Sequence, residues 1–279
     1  MSFLYKILIL LIIFKFTSCT KKTENISIVE EKSLEMQMIE SYKAGLEELN
    51  KNDVLFAAKK FNEAELLYPQ SIWAPRAALM ASYAYFSQLY YDDAILELEK
   101  FLDRYKNHSN RDYAYYMLAL SHYNLIVDET KDLEEILKAK NYFEIIVEKY
   151  PNTEFAIDSE FKLELIQEIL ASKEMYIARY YVDRKKWIPA INRFKTVINN
   201  YETTIYVEEA LHRLVEVHYN LGLLDEAKKY ASLLGYNYQS SEWYEESYKI
   251  LNDEYVKIPK KEKSEIEDSI LQKFKDLLK

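Results

Sequence analysis

"AKNYFEIIVEKYPNTEFA" runs from Ala139 to Ala156; Tyr150 stands eleven residues after its first alanine and Pro151 follows at once. The same rule recurs in four more pairs: Ala57/Tyr68, Ala94/Tyr105, Ala190/Tyr201 and Ala227/Tyr238. Four residues after each alanine stand Phe61, Leu98, Phe143, Phe194 and Ala231, and seven after it stand Ala64, Phe101, Ile146, Val197 and Leu234. Positions i, i+4, i+7 and i+11 share one face of an α-helix. A small alanine there lets another helix approach, and the larger residues fill the groove beside it. Pro69 and Pro151 follow their tyrosines where a proline stops the helix and opens a turn; Lys106, Glu202 and Gln239 stand in the other three repeats. A Ser or Thr comes next in every case (Ser71, Ser109, Thr153, Thr204, Ser241) and is suited to N-cap the following helix.

The alanines are 37, 45, 51 and 37 residues apart. Paired helices repeating at about 34 residues, with alanine, aromatic and proline positions of this kind, are tetratricopeptide (TPR) repeats. The second interval is lengthened in the third repeat around "DETKDLEEIL" (128–137), and the third interval in the fourth repeat by a helix extended through "LELIQEILASKEMYIARYY". The pattern predicts an all-α, right-handed TPR-like solenoid of about five helix-turn-helix repeats over residues 39–258. Composition agrees: three glycines and five prolines in 279 residues leave too few for phosphate-cradling loops or a turn-rich sheet. After the break at Pro259, Ile266, Ile270, Phe274 and Leu277 recur at helical spacing, so 259–279 reads as an amphipathic helix that caps the last repeat or docks on a partner.

The other end raises a different question. The only cysteine, Cys19, follows "MSFLYKILILLIIFKFTS", in which Lys6 precedes a short apolar run. That run is too short to span a bilayer and reads as a secretory signal. Phe16-Thr17-Ser18-Cys19 resembles a bacterial lipobox, with Phe16 where leucine is usual; the alternative is a signal anchor with an incidental thiol. Residues 1–18 are thus expected to be a lipoprotein signal peptide, and 19–38 a lipidated tether. Three acyl chains on Cys19 exceed the two-signal threshold for stable anchoring. Thr20 in place of aspartate favours the outer membrane, by resemblance to lipoprotein sorting. Losing Lys6 and Lys15 takes the formal net charge from −9 to −11, which disfavours nucleic acid as a partner.

No catalytic constellation emerges. Glu208 and His212 are i,i+4 but lack a third ligand, and Asp92-Asp93 point to different sides of a helix. The chain reads as a binding protein without metal or cofactor. Tyr83, Tyr85, Tyr113 and Tyr116 fall in the first helices of consecutive repeats, which line the concave face; they are candidates for gripping an extended peptide. Arg184, Lys185 and Lys186 form a basic run on an acidic protein and are candidates for an electrostatic partner contact.

Taken together, a lipobox cysteine, a tether and five such repeats resemble the BamD family of lipoproteins of the β-barrel assembly machinery. "HSNRDYAYYMLALSHY" (His108 to Tyr123) looks like the opening of the family's third repeat, and "LGYNYQSSEWYEESYKIL" (Leu234 to Leu251) is similar to its close. The likeness covers roughly residues 40–251. It implies a non-enzymatic scaffold on the periplasmic side of the outer membrane. Its partners would be the insertase's periplasmic domains, accessory lipoproteins and unfolded outer-membrane proteins with C-terminal aromatic signals. A TPR lipoprotein of pilus or secretin assembly is the competing reading, and a glycan-active envelope enzyme is a third, opposed by the missing acid pair.

Overall fold

The structure, a computed structural model, describes residues 32–126 and 133–252. Cys19, the signal segment and the 259–279 stripe lie outside the described residues. Within them the chain forms five antiparallel helical hairpins: α1 (Leu34–Asn50) with α2 (Val54–Leu67), α3 (Ala74–Ser87) with α4 (Tyr91–Arg104), α5 (Arg111–Asn124) with α6 (Glu134–Lys149), α7 (Glu154–Asp183) with α8 (Trp187–Asn200), and α9 (Tyr206–Asn220) with α10 (Leu224–Asn237). A last helix, α11 (Glu242–Leu251), packs on α9 and α10. The fold is an all-α TPR-like solenoid. Its first helix starts at Leu34, inside the segment expected to be tether, because the Ser33 side chain accepts the Met36 N–H and Met38 is buried against the first hairpin.

The alanine register fixes the core. Ala57, Ala94, Ala139, Ala190 and Ala227 are fully buried, as are Phe61, Leu98, Phe143 and Phe194 four residues on. In the last repeat Ala231 is only partly buried; Tyr230 fills the space instead, its ring 5.2 Å from that of His218. The first hairpin closes so tightly that a Cβ on Gly45 would lie 2.8 Å from the Phe61 ring.

Each register tyrosine turns out to be the C-cap of its second helix. The N–H three residues later returns to its carbonyl, from Ser71, His108, Thr153, Thr204 and Ser241 at 3.0–3.1 Å. This corrects the expected caps. Thr153 and Ser241 do cap α7 and α11, and the Ser71 hydroxyl accepts the Trp73 and Ala74 N–H groups. Ser109 is one place out of register. His108 holds the equivalent position, and its Nδ1 accepts the Asn110 N–H. Thr204, like Thr153, donates its hydroxyl back to the preceding register tyrosine's carbonyl, and at the start of α9 Glu168 Oε1 of α7 accepts the Ile205 N–H at 3.2 Å.

Within the hairpins a second turn repeats. Asn52, Leu89, Lys185 and Gly222 each have φ between +56° and +76° and each precedes its register alanine by five residues. The next residue's N–H bonds five back, for instance Tyr90 to Tyr85 and Leu223 to His218, which is the Schellman closure. A left-handed backbone costs a residue with a Cβ about 1–2 kcal/mol, and glycine gives back about 0.5–1 kcal/mol in unfolded-chain entropy. Leu89→Gly is therefore expected to stabilise the protein by about 0.5–1 kcal/mol; an unchanged or lowered melting temperature would contradict this turn geometry.

Candidate partner-binding surfaces

The first helix has two apolar stripes. Met38, Ser41 and Gly45 face α2, whereas Ile39, Tyr42 and Leu46 face outward. The outward stripe meets Trp73, at the head of α3, in a groove of about 390 Å³ lined also by Met38 and Lys43. Tyr42 forms its floor, edge-on to Phe61 at 5.3 Å and to Trp73 at 5.6 Å. Burial pushes the Tyr42 phenol up, partly offset by Arg76. The Arg76 guanidinium lies 5.0 Å over the Trp73 ring, and neither it nor Lys43 has an ion-pair partner among the described residues. An apolar floor with two cations at its rim suits a flat hydrophobic side chain beside a carboxylate. Ahead of α1, Lys32 Nζ meets Glu40 at 2.6 Å, and Gln37 Nε2 donates to the Lys32 carbonyl at 2.7 Å.

The four candidate tyrosines do not form one face. Tyr83 is 42% exposed and lies close enough to Tyr113 to bias its ionisation. Tyr113 and Tyr116 pack on Phe155 of α7, with ring centroids 5.8 and 5.0 Å away, and the Tyr116 hydroxyl donates to Asp158 at 2.8 Å. Burial first, then the Asp158 carboxylate, raise the Tyr116 phenol well above its ordinary range. These two rings join the third repeat to the fourth. Tyr85 lies two residues from Tyr83, about 200° around the helix, and packs toward α2 beside Asn62 and Leu66. Of the four, Tyr83 alone offers an exposed ring.

Arg184, Lys185 and Lys186 make up the turn between α7 and α8, and all three are exposed. The Arg184 guanidinium lies 4.3 Å over Tyr180, and Lys185 holds the left-handed position of the turn. Between this turn and α11 the surface is internally paired. Arg193 reaches both Glu174 oxygens, Arg179 reaches both Glu209 oxygens, and Arg213 bridges Glu209 and Glu216 beside Trp243. Burial raises the Glu216 carboxyl, but hydrogen bonds from His212 and Arg213 outweigh it and hold it at about 2. The three buried histidines serve packing: His122 meets Glu135 at 2.6 Å, His212 meets Ser247 at 2.9 Å, and His218 meets the Leu214 carbonyl at 2.7 Å.

The groove went unnoticed in the sequence because Ile39, Tyr42 and Leu46 sit just after a segment read as tether. Their i, i+3, i+7 spacing and the Ile72-Trp73 pair after Pro69 were its visible signs.

Comparison with known proteins follows the same lines. Residues 34–233 match the family model YfiO, described as "Outer membrane lipoprotein". The outer membrane protein assembly factor BamD of Rickettsia prowazekii (strain Madrid E) is 42% identical over 212 residues, 76% of this chain and 84% of that one. That of Caulobacter vibrioides is 35% identical over 236 residues, 84% of this chain and 76% of that one. The Neisseria gonorrhoeae protein of the same name is 31% identical over 180 residues, 61% of this chain and 67% of that one.

Proposed function

The chain belongs to the outer membrane lipoprotein family whose curated members are named outer membrane protein assembly factor BamD, and on that premise we propose that it serves outer-membrane protein assembly as a scaffold rather than a catalyst. In this reading lipid on Cys19 holds it at the outer membrane, with the solenoid in the periplasm. The first repeats receive unfolded β-barrel precursors, and the fourth and fifth engage the insertase's periplasmic domains and accessory lipoproteins.

The observation that carries the reading is the groove on α1 and α3. Trp73 and Tyr42 offer flat, amphipathic surface at low entropic cost, while Lys43 and Arg76 stand where a terminal carboxylate would lie. In the fourth repeat, Arg184-Lys185-Lys186 supplies exposed positive charge on an acidic chain, which favours steering and register of an acidic domain. Each repeat touches only its neighbours, so the two ends can work separately.

Affinity capture from detergent-solubilised membranes is expected to recover a β-barrel insertase with this chain. Recovery of pilus or secretin subunits in its place would overturn the assignment. Cys19→Ser is expected to leave a soluble or uncleaved form; unchanged membrane association with unchanged mature mass would remove lipidation from the account.

A further inference from the structure

Helix α7 is thirty residues long and buries a different face in each half. One stripe, spaced alternately by four and three residues, runs its whole length. It reads Ile157, Phe161, Glu164 and Glu168 in the first half, then Ala171, Met175, Ala178 and Val182 in the second. Positions at that spacing share one face of a helix. In the second half Ala171, Met175 and Ala178 are buried in the core formed with α8 and α9. Helix α8 runs antiparallel and ends at Asn200, and Tyr201 after it touches the core clusters on both sides. The first half of α7 packs on the third repeat through another face, with Ala156, Ile166 and Leu170. The stripe is therefore left without a partner helix over residues 154–168, a length of about 21 Å. Ile157 is 73% exposed there, and Phe161 55%.

The charge on this stretch has one sign. Glu160 and Glu164 are exposed, and neither they nor Glu168 have an ion-pair partner among the described residues. Glu168 Oε1 accepts the Ile205 N–H at 3.2 Å, but its Oε2 is buried with no hydrogen-bond partner among the described residues. A buried carboxylate oxygen left unpaired is costly, so an arriving cation has something to gain here. The only lysine or arginine within 154–168 is Lys162, and it is turned to Tyr123, 5.0 Å over that ring. We infer that the stripe is the docking site of a basic amphipathic helix from a partner protein, laid along α7 where α8 stops. The ridge that receives α8 continues here, so it fits a second helix. The apolar side of that helix covers Ile157 and Phe161. A lysine or arginine two turns away, about 10 Å, reaches Glu168 Oε2. Arg184 lies about 24 Å farther along α7 than Glu168. The stripe is thus a separate surface of opposite charge, and the inference does not rest on the insertase reading.

The test titrates the full chain, carrying Cys19→Ser so that no lipid is attached, with a labelled helical peptide of three heptads. The peptide has leucine at positions a and d and lysine at e and g; a twin carries glutamate in place of lysine. The lysine peptide is expected to bind at least tenfold more tightly than its twin at low salt, with the gap narrowing as salt rises. Phe161→Ser should weaken its binding at least tenfold. Glu164→Gln combined with Glu168→Gln should weaken it at least fivefold and flatten the salt dependence. Phe161 and Glu164 are exposed, and glutamine at 168 keeps an acceptor for the Ile205 N–H, so the fold should survive. Trp73→Ala, in the groove of the first repeats, should leave the affinity unchanged. Equal binding of the two peptides, indifference to Phe161→Ser, or an equal loss from Trp73→Ala would each overturn the assignment. So would a full chain that binds neither peptide, the result if its own residues after 252 cover the stripe, or a dimer of the chain that Phe161→Ser dissociates.

Discussion

Phe194→Ala is expected to remove about 3–5 kcal/mol of folding free energy, the usual cost of emptying a fully buried aromatic site. Phe194 has no exposed surface and sits among Ala190, Val197, Met175 and Leu214 in the largest core cluster, between α7 and α9. The space cannot collapse easily, because Arg193–Glu174 and Arg179–Glu209 fix α8 and α9 against α7 from either side. Against a typical total of about 5–15 kcal/mol this is a large fraction. In a solenoid the loss should stay local, since stability is carried by neighbouring repeats. Hydrogen exchange should therefore rise in α7–α11 while α1–α3 change little. Retention of the wild-type urea midpoint would mean that the alanine register points to the wrong face.

Trp73→Ala is expected to weaken binding of a peptide ending in a free aromatic residue by at least 30-fold, an effect of about 2 kcal/mol or more, as for a central aromatic anchor. Trp73 forms one wall of the groove, holds Tyr42 edge-on and positions Arg76 by cation–π contact. Its removal takes away contact area and loosens a cation together. Amidating the peptide's C-terminus should cost wild type about tenfold or more through loss of a charge-assisted contact, and should cost Arg76→Gln much less. Trp73 is partly exposed, so the fold should survive. Equal affinity for the free and amidated peptides, together with an indifferent Trp73→Ala, would remove this groove from the account.

Much of the fold was legible because one constraint wrote it five times. The alanine-to-tyrosine spacing encodes both the buried face and the helix end, so Ala57 to Tyr238 read as hairpins without any coordinates. The caps were less legible. Thr153 and Thr204 both donate their hydroxyls back to the register tyrosine's carbonyl, but only Thr153 also accepts an N–H of the next helix; at Thr204's turn Glu168 of α7 takes the Ile205 N–H, which no local spacing displays. The in-hairpin turns were invisible for a related reason: three of four left-handed positions hold Asn, Leu or Lys rather than glycine, because the flanking helices impose the conformation. The candidate surfaces fared unevenly. The Arg184–Lys186 run is exposed as its composition suggested, but the tyrosines divide by helical angle and by the partner each finds on the next repeat, as Tyr116 does on Asp158. Grooves such as the one at Trp73 arise from juxtaposed elements, and no single helix displays them.

The most direct test of the two-ended scaffold is a paired titration of the triple variant Arg184→Glu, Lys185→Glu, Lys186→Glu with the insertase's periplasmic domains and with the aromatic-ended peptide. All three side chains are exposed in a turn more than one repeat away from the groove, so both binding reactions can be measured on a folded chain. The account predicts that insertase-domain affinity falls at least tenfold at low salt and that the gap narrows as salt screens the charges. Peptide affinity should stay at the wild-type value. Equal loss of both activities, or loss of neither, would contradict it.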